Sequence, residues 1–250
     1  MPTMAPLPLP KLAESASTSD ASSSPSLSPA LGTAGAPLRP WQMTLDDRNR
    51  LRQQIRQGTR SLRVRPARMA DQDAILEMIE EAKQWLPTIG TDQWSTDWKD
   101  DEGAGRSERV AHSLKDGTTW LIFVPFREQE LPIATVTIEY NIDSKVWSGV
   151  RAGSRRCAYL SRLVTTRDFA GLNIGAAVID WACEYADEAF DAKRLRIDVW
   201  TTNHRLHDYY RNLGFRPRGY LDDMNYPSCA RFDRRTGRRA PSAVLHIVRA

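Results

Sequence analysis

"FAGLNIGAAVIDWA", residues 169 to 182, sets Gly171 and Gly175 with three residues between them. They precede a run in which Ile174, Ala177, Val178, Trp181 and Tyr185 recur at helical spacing. The residues just before, "YLSRLVTT" (159 to 166), are apolar and β-branched and read as a strand. Strand, glycine turn and long helix therefore follow one another. The first N–H groups of such a helix have no partner inside it, so they point at any anion placed before them, and the small Ala176 and Ala177 keep the approach open. A plainer reading competes: Gly171 makes the turn, Gly175 lets the helix lie close on a sheet, and the stretch alone favours this. Two familiar phosphate loops are excluded. A P-loop needs Gly-Lys-Ser or Gly-Lys-Thr, but Ala176 follows Gly175; a dinucleotide fingerprint needs three glycines, and Gly171 and Gly175 are two.

Working outward, "LRIDVW" (195 to 200) is a strand, "NHRLHDYYRNLG" (203 to 214) a helix closed by Gly214, and "FRPRGYL" (215 to 221) a further strand, with "APSAVLHIVRA" (240 to 250) supplying the last. Toward the N-terminus, "SLRVRPA" (61 to 67) opens the ordered region. Residues 70 to 86 form a helix on the spacing of Ile75, Met78, Ile79, Ala82, Trp85 and Leu86, with Asp71 and Asp73 at its positive end and Pro87 stopping it. Residues 105 to 115 make a second helix. "TTWLIFVPF" and "LPIATVTIEY" pair as a hairpin through "REQE", and residues 141 to 157 are an irregular excursion. Hairpin and strand-helix-strand units alternate, which predicts one α/β domain with a mixed sheet covered by helices on both faces.

The front of the chain differs. Residues 1 to 40 are rich in Pro, Ala and Ser and hold almost no large apolar side chain, so they read as a disordered tail. Residues 41 to 60 read as a basic linker in which a short helix is plausible: Thr44 would cap it, Asp46 and Asp47 would lie in its first turn, and Leu45, Leu51 and Ile55 would form a thin stripe. The net charge of +4 could attract phosphates, on a cofactor or on nucleic acid. Cys157, Cys183 and Cys229 are widely spaced and odd in number, and with four histidines they give neither a disulfide framework nor a metal site. The chain shows no membrane-spanning run and no signal-peptide pattern at its start, so a cytoplasmic location is expected.

The strand, glycine turn and helix, followed by "LRIDVW" and "TNHRLHDYYRNLGF", resemble the GNAT acetyltransferase superfamily, as do "LRVRPARMADQDAILEMI" and "GTDQW" earlier on. Asn203, Leu206, Tyr209, Tyr210, Gly214 and Phe215 match the family's second motif position by position; in the glycine motif Gly175 matches, with Ala170 at the usual Arg or Gln and Asn173 at the middle glycine. The resemblance spans about residues 60 to 250 and implies a GNAT-like domain over 61–250: a largely antiparallel, twisted mixed sheet of about seven strands.

That resemblance implies an N-acetyltransferase moving an acetyl group from acetyl-CoA, its co-substrate, to a primary amine of a small molecule or protein by direct attack. The backbone of Leu163 and Val164 would hold the pantetheine arm. The turn of Ala170, Gly171, Leu172, Asn173, Ile174, Gly175 and Ala176 would hold the pyrophosphate, and Asn203 would contact the coenzyme. Tyr210 would protonate the leaving thiolate, while Gln93 and Trp94 would line the acceptor pocket. Glu139, Ser161 and Asp198 lie on predicted strands near the cleft and are candidates for the base; Tyr209 reads as packing or rim, and His204 and His207 as surface helix residues. The departures at Ala170 and Asn173 motivate an alternative, a coenzyme-binding regulatory module that has lost turnover. A membrane partner is not expected, a nucleic acid ranks last, and a second copy of the chain stays open as a partner.

Overall fold

The computed structural model describes residues 39–95, 104–140, 145–147, 156–221, 227–237 and 247–250. The expected disordered tail and most of the 141–157 excursion lie outside these residues. Helix α1 spans Leu45–Arg56, α2 Gln72–Trp85, α3 Arg106–Lys115, α4 Ile174–Phe190 and α5 His204–Asn212. The strands are β1 Leu62–Pro66, β2 Thr119–Phe126, β3 Gln129–Tyr140, β4 Cys157–Thr165, β5 Arg194–Val199, β6 Arg216–Tyr220, β7 Ala230–Arg235 and β8 Ile247–Arg249. They form one sheet in the order β6-β7-β5-β4-β3-β2-β1-β8. Pairing is antiparallel except between β4 and β5 and between β1 and β8.

Side-chain alternation along β2 divides the molecule into layers. Trp120, Ile122 and Val124 point into a core shared with Leu51 and Ile55 of α1 and with Val178, Ile179 and Ala182 of α4. Leu121 points the other way, into a core with Ile75, Met78 and Ile79 of α2 and Val110 and Leu114 of α3. Helices thus cover both faces, as the order of elements predicts.

Within residues 41 to 60, expected as a basic linker with a short helix as one option, Leu45–Arg56 form α1. Thr44 accepts from the Asp47 backbone N–H (3.2 Å) as its cap, and Leu51 and Ile55 are fully buried in the main core.

The described sheet has eight strands where about seven were expected. The additional one is β7, "ARFDRR", which was not among the expected strands. Two of its charges are internal: Asp233 is buried and takes ion pairs from Arg194 on β5 and Arg218 on β6, both at 2.9 Å, and the buried Arg234 reaches Asp180 on α4 at 2.5 Å. Buried charge survives here because it is paired.

Because α1 completes the core that carries α4, truncating it should be felt globally. Ile55→Ala should cost about 2–5 kcal/mol in urea unfolding, the range for deleting a fully buried aliphatic side chain. A loss under about 1 kcal/mol would mean that α1 is peripheral.

Candidate active site

The site begins where two strands part. β4 and β5 pair in parallel only from Cys157–Tyr159 to Arg194–Arg196, and beyond that both continue without pairing to each other. On its other side β4 carries a bulge. Thr137 pairs with Ser161 and Thr135 with Val164, so Val136 alone stands opposite two residues, Arg162 and Leu163. Arg162 takes φ 49°, a left-handed conformation that is strained for a side-chain-bearing residue. A bulge bends its strand and increases local twist, which turns β4 away from β5. The gap opens into a cavity of about 790 Å³, a size typical of small-molecule sites.

At one end lies the glycine turn. Gly171 (φ 78°) and Asn173 (φ 57°) are both left-handed, and the first bond of α4 runs from Ala177 N–H to the Asn173 carbonyl at 3.1 Å. The N–H groups of residues 171 to 176 have no hydrogen-bond partner among the described residues. With the positive end of α4 behind them they form an anion cradle. Asn173 accepts the angles of a glycine, as Asn does more readily than other residues. Gly175 is needed for space, since a Cβ there would lie 2.8 Å from the Tyr209 hydroxyl.

The cradle is braced from outside the motif. Arg52 of α1 donates to the carbonyl oxygens of Asp168 and Ala170, the latter at 3.0 Å, and Arg48 pairs with the Asp168 carboxylate at 2.7 Å. Carbonyls engaged this way fix the peptide planes of the entry to the cradle. Neither arginine stood out in the sequence; the available signal was their i, i+4 spacing beside the Leu51–Ile55 stripe.

At the far end, the "GTDQW" loop is tied to the turn between β5 and α5. Asp92 accepts from Trp200 Nε1 (2.9 Å) and Thr202 Oγ1 (2.6 Å), and these bonds hold its carboxyl below the usual range. Gln93 Oε1 accepts from Asn203 Nδ2 at 2.6 Å, while Asn203 Oδ1 caps α5 through the Leu206 N–H at 3.1 Å. Asn203 therefore anchors the loop and starts the helix, with both ends of its amide engaged. Asp92, inside the quoted pentapeptide, was missed as a positioning group.

Helix α5 brings both tyrosines to the wall. Tyr210 is 8% exposed and packs edge-on to Phe215; burial, then the charges of Tyr209 and Asp198, push its pKa up, so the phenol stays protonated far above neutral pH. Tyr209 is 38% exposed, and burial of its hydroxyl pushes it up to about 12. Rather than rim packing alone, its hydroxyl sits against Gly175 in the cradle.

Most of the expected site residues meet here. Leu163 and Val164 line the cavity, with the Val164 side chain turned into the α2–α3 core so that the backbone faces the gap. Ser161, Asp198, Gln93 and Trp94 line it too. Glu139 is not on the wall: it lies half-buried on β3, its carboxyl pushed up by burial. Leu172 and Ala176 are buried behind the turn, contributing their backbone. His207 corrects a sequence expectation. It is 1% exposed rather than on the surface, because α5 packs that face on Phe232, and its Nε2 donates to the Trp200 carbonyl at 2.9 Å.

A family model described as "Acetyltransferase (GNAT) family" matches residues 77–215. An uncharacterized N-acetyltransferase of Bacillus subtilis, YesJ, is 28% identical over 152 residues, covering 60% of this chain and 79% of the relative. Among solved structures, a GNAT-family acetyltransferase of Listeria monocytogenes is similar with TM-score 0.52 and 21% identity, over 69% of this chain and 93% of that one. The PaiA N-acetyltransferase of Thermoplasma acidophilum, solved in complex with coenzyme A, is similar with TM-score 0.50 and 15% identity, over 70% and 99%.

If Arg52 holds the cradle in shape, Arg52→Ala should weaken coenzyme A binding by about tenfold, roughly 1.4 kcal/mol, with the melting midpoint little changed. Calorimetric titration giving an affinity equal to wild type would remove the brace from the site.

Proposed function

The chain belongs to the GNAT acetyltransferase family and is an acyltransferase, and from that premise we propose that it moves an acetyl group from acetyl-CoA to a primary amine by direct attack. The observation that carries this reading is the arrangement along one cavity of the unpaired N–H row of residues 171 to 176, the unpaired edge of β4 beyond Tyr159, and the Tyr210 phenol. The PaiA relative's coenzyme A complex supports the choice of carrier.

The coenzyme supplies an activated thioester. In this chain the N–H row binds its diphosphate, the backbone of Leu163 and Val164 runs alongside the pantetheine arm, and the walls exclude water from the reacting carbon. Tyr210 gives its proton to the departing thiolate; its raised pKa keeps that proton available. Asp198, the carboxylate on the cavity wall among the described residues, draws in the acceptor's ammonium and receives its proton. No cysteine lines the cavity among the described residues, and Cys157, Cys183 and Cys229 are buried thiols, which favours direct attack over a covalent enzyme intermediate. The two departures from the family motif are accommodated, Asn173 by its left-handed angles and Ala170 by the Arg52 bond to its carbonyl, so neither argues for lost turnover.

Tyr210→Phe keeps the ring and removes the proton, so the rate constant for transfer should fall by roughly 10² to 10⁴ with coenzyme affinity nearly unchanged. Tyr209→Phe should be mild on the same rate constant, because that hydroxyl faces Gly175. Wild-type turnover in Tyr210→Phe under chemistry-limited conditions would remove Tyr210 from the mechanism.

A further inference from the structure

Among the described residues, the wall of the cavity carries more positive than negative charge. Among the described residues Arg106, Arg109, Arg162, Arg167 and Arg205 line it against a single acid, Asp198. Several of these arginines have work already. Arg167 stacks on Trp85 at 3.6 Å, Arg106 lies over Trp94 at 5.7 Å, and Arg109 donates to the Ala104 carbonyl.

Arg162 is different. It sits at the bulge itself, and its one hydrogen bond to a described residue runs from Nε to Thr137 Oγ1 at 3.2 Å, so the two terminal nitrogens are not engaged by any described residue. Among the described residues, the charged groups that face it are Glu139 on β3 and Arg109 on α3. Glu139 lies beyond ion-pair distance and is itself pushed toward its neutral form by burial, while Arg109 repels. A desolvated guanidinium on a cavity wall, its terminal nitrogens not engaged by any described residue, is a site for a carboxylate, which its planar fork can meet with two parallel hydrogen bonds. Thr137 lies on the face of β3 opposite Ala134 and Val136, which join the α4 core, so the Arg162 side chain is on the α2–α3 side of the sheet, away from the cradle at the start of α4. Coenzyme phosphates held at the cradle would therefore not satisfy it.

We infer that the acceptor is an amine that also carries a carboxylate, an amino acid rather than a polyamine, with Arg162 on β4 taking the carboxylate and Asp198 on β5 facing the amine. The two walls of the gap then match a zwitterion in sign and order. This rests on the acyl-transfer reading above.

Thiol release from acetyl-CoA by the full chain, with the common L-amino acids, their carboxamides and spermidine as acceptors, tests the inference. The best amino acid should exceed its own carboxamide and spermidine by about tenfold or more in kcat/KM. Arg162→Gln should bring the acid-to-amide ratio to within about twofold, through KM, and Arg162→Lys should recover part of it. The wild-type comparison stands even if a variant at this strained position folds poorly. Spermidine or the carboxamides matching the acids, a ratio unmoved in Arg162→Gln, or coenzyme binding with no release to any acid would each overturn the inference. Absence of coenzyme binding in calorimetry on the same preparation would instead overturn the acyl-transfer reading.

Discussion

The parting of β4 from β5 is the constraint on which the rest of the structure depends. Two adjacent parallel strands would normally continue side by side, and a cavity through the sheet would leave backbone groups unpaired at a cost for each. Here a single extra residue, held left-handed at Arg162, turns β4 off after three paired positions. What is lost in pairing becomes a strip of N–H and C=O groups open to an extended ligand. The cradle at the start of α4 is the same arrangement in miniature, a row of donors left without protein partners by left-handed turns at Gly171 and Asn173.

A gap of this kind must be held open, and the bracing comes from elements distant in sequence. Arg48 and Arg52 fasten the turn from α1, more than a hundred residues earlier in the chain. The Asp92 and Gln93 loop fastens the other end to β5 and α5. Each brace is a charged or amide group hydrogen-bonded to the segment it holds, which gives fixed geometry rather than merely attraction. In the proposed mechanism the reacting groups can then be few: a phenol kept protonated by burial, a carboxylate on the wall of the same cavity, and backbone donors at the start of α4 for the phosphates.

The layers of the fold and the glycine turn before α4 were legible in the sequence because they rest on local signals. The apolar periods of residues 70 to 86 and 174 to 185, the hairpin, and the glycines each declare themselves within one window. Non-local features were not legible. β7 was not among the expected strands, because the partners of its charges, Arg194, Arg218 and Asp180, come from three other elements. His207 looked solvent-exposed because Phe232, the surface it packs on, belongs to that missed strand. Arg52 looked like part of a basic linker, and nothing near it in the chain indicates the carbonyls it holds. Arg162 looked like an ordinary strand residue, since a bulge is a property of two strands and not of one.

The central claim is that one cavity holds the coenzyme from its phosphates, at the cradle, to its sulfur, at Tyr210. A crystal structure of the chain with coenzyme A tests this most directly. The account predicts the diphosphate within about 3 Å of N–H groups among residues 171 to 176, the pantetheine arm along β4 at Leu163 and Val164, and the sulfur within hydrogen-bond reach of the Tyr210 hydroxyl. Coenzyme density elsewhere on the chain, or a sulfur directed away from Tyr210 with the cradle empty, would contradict it.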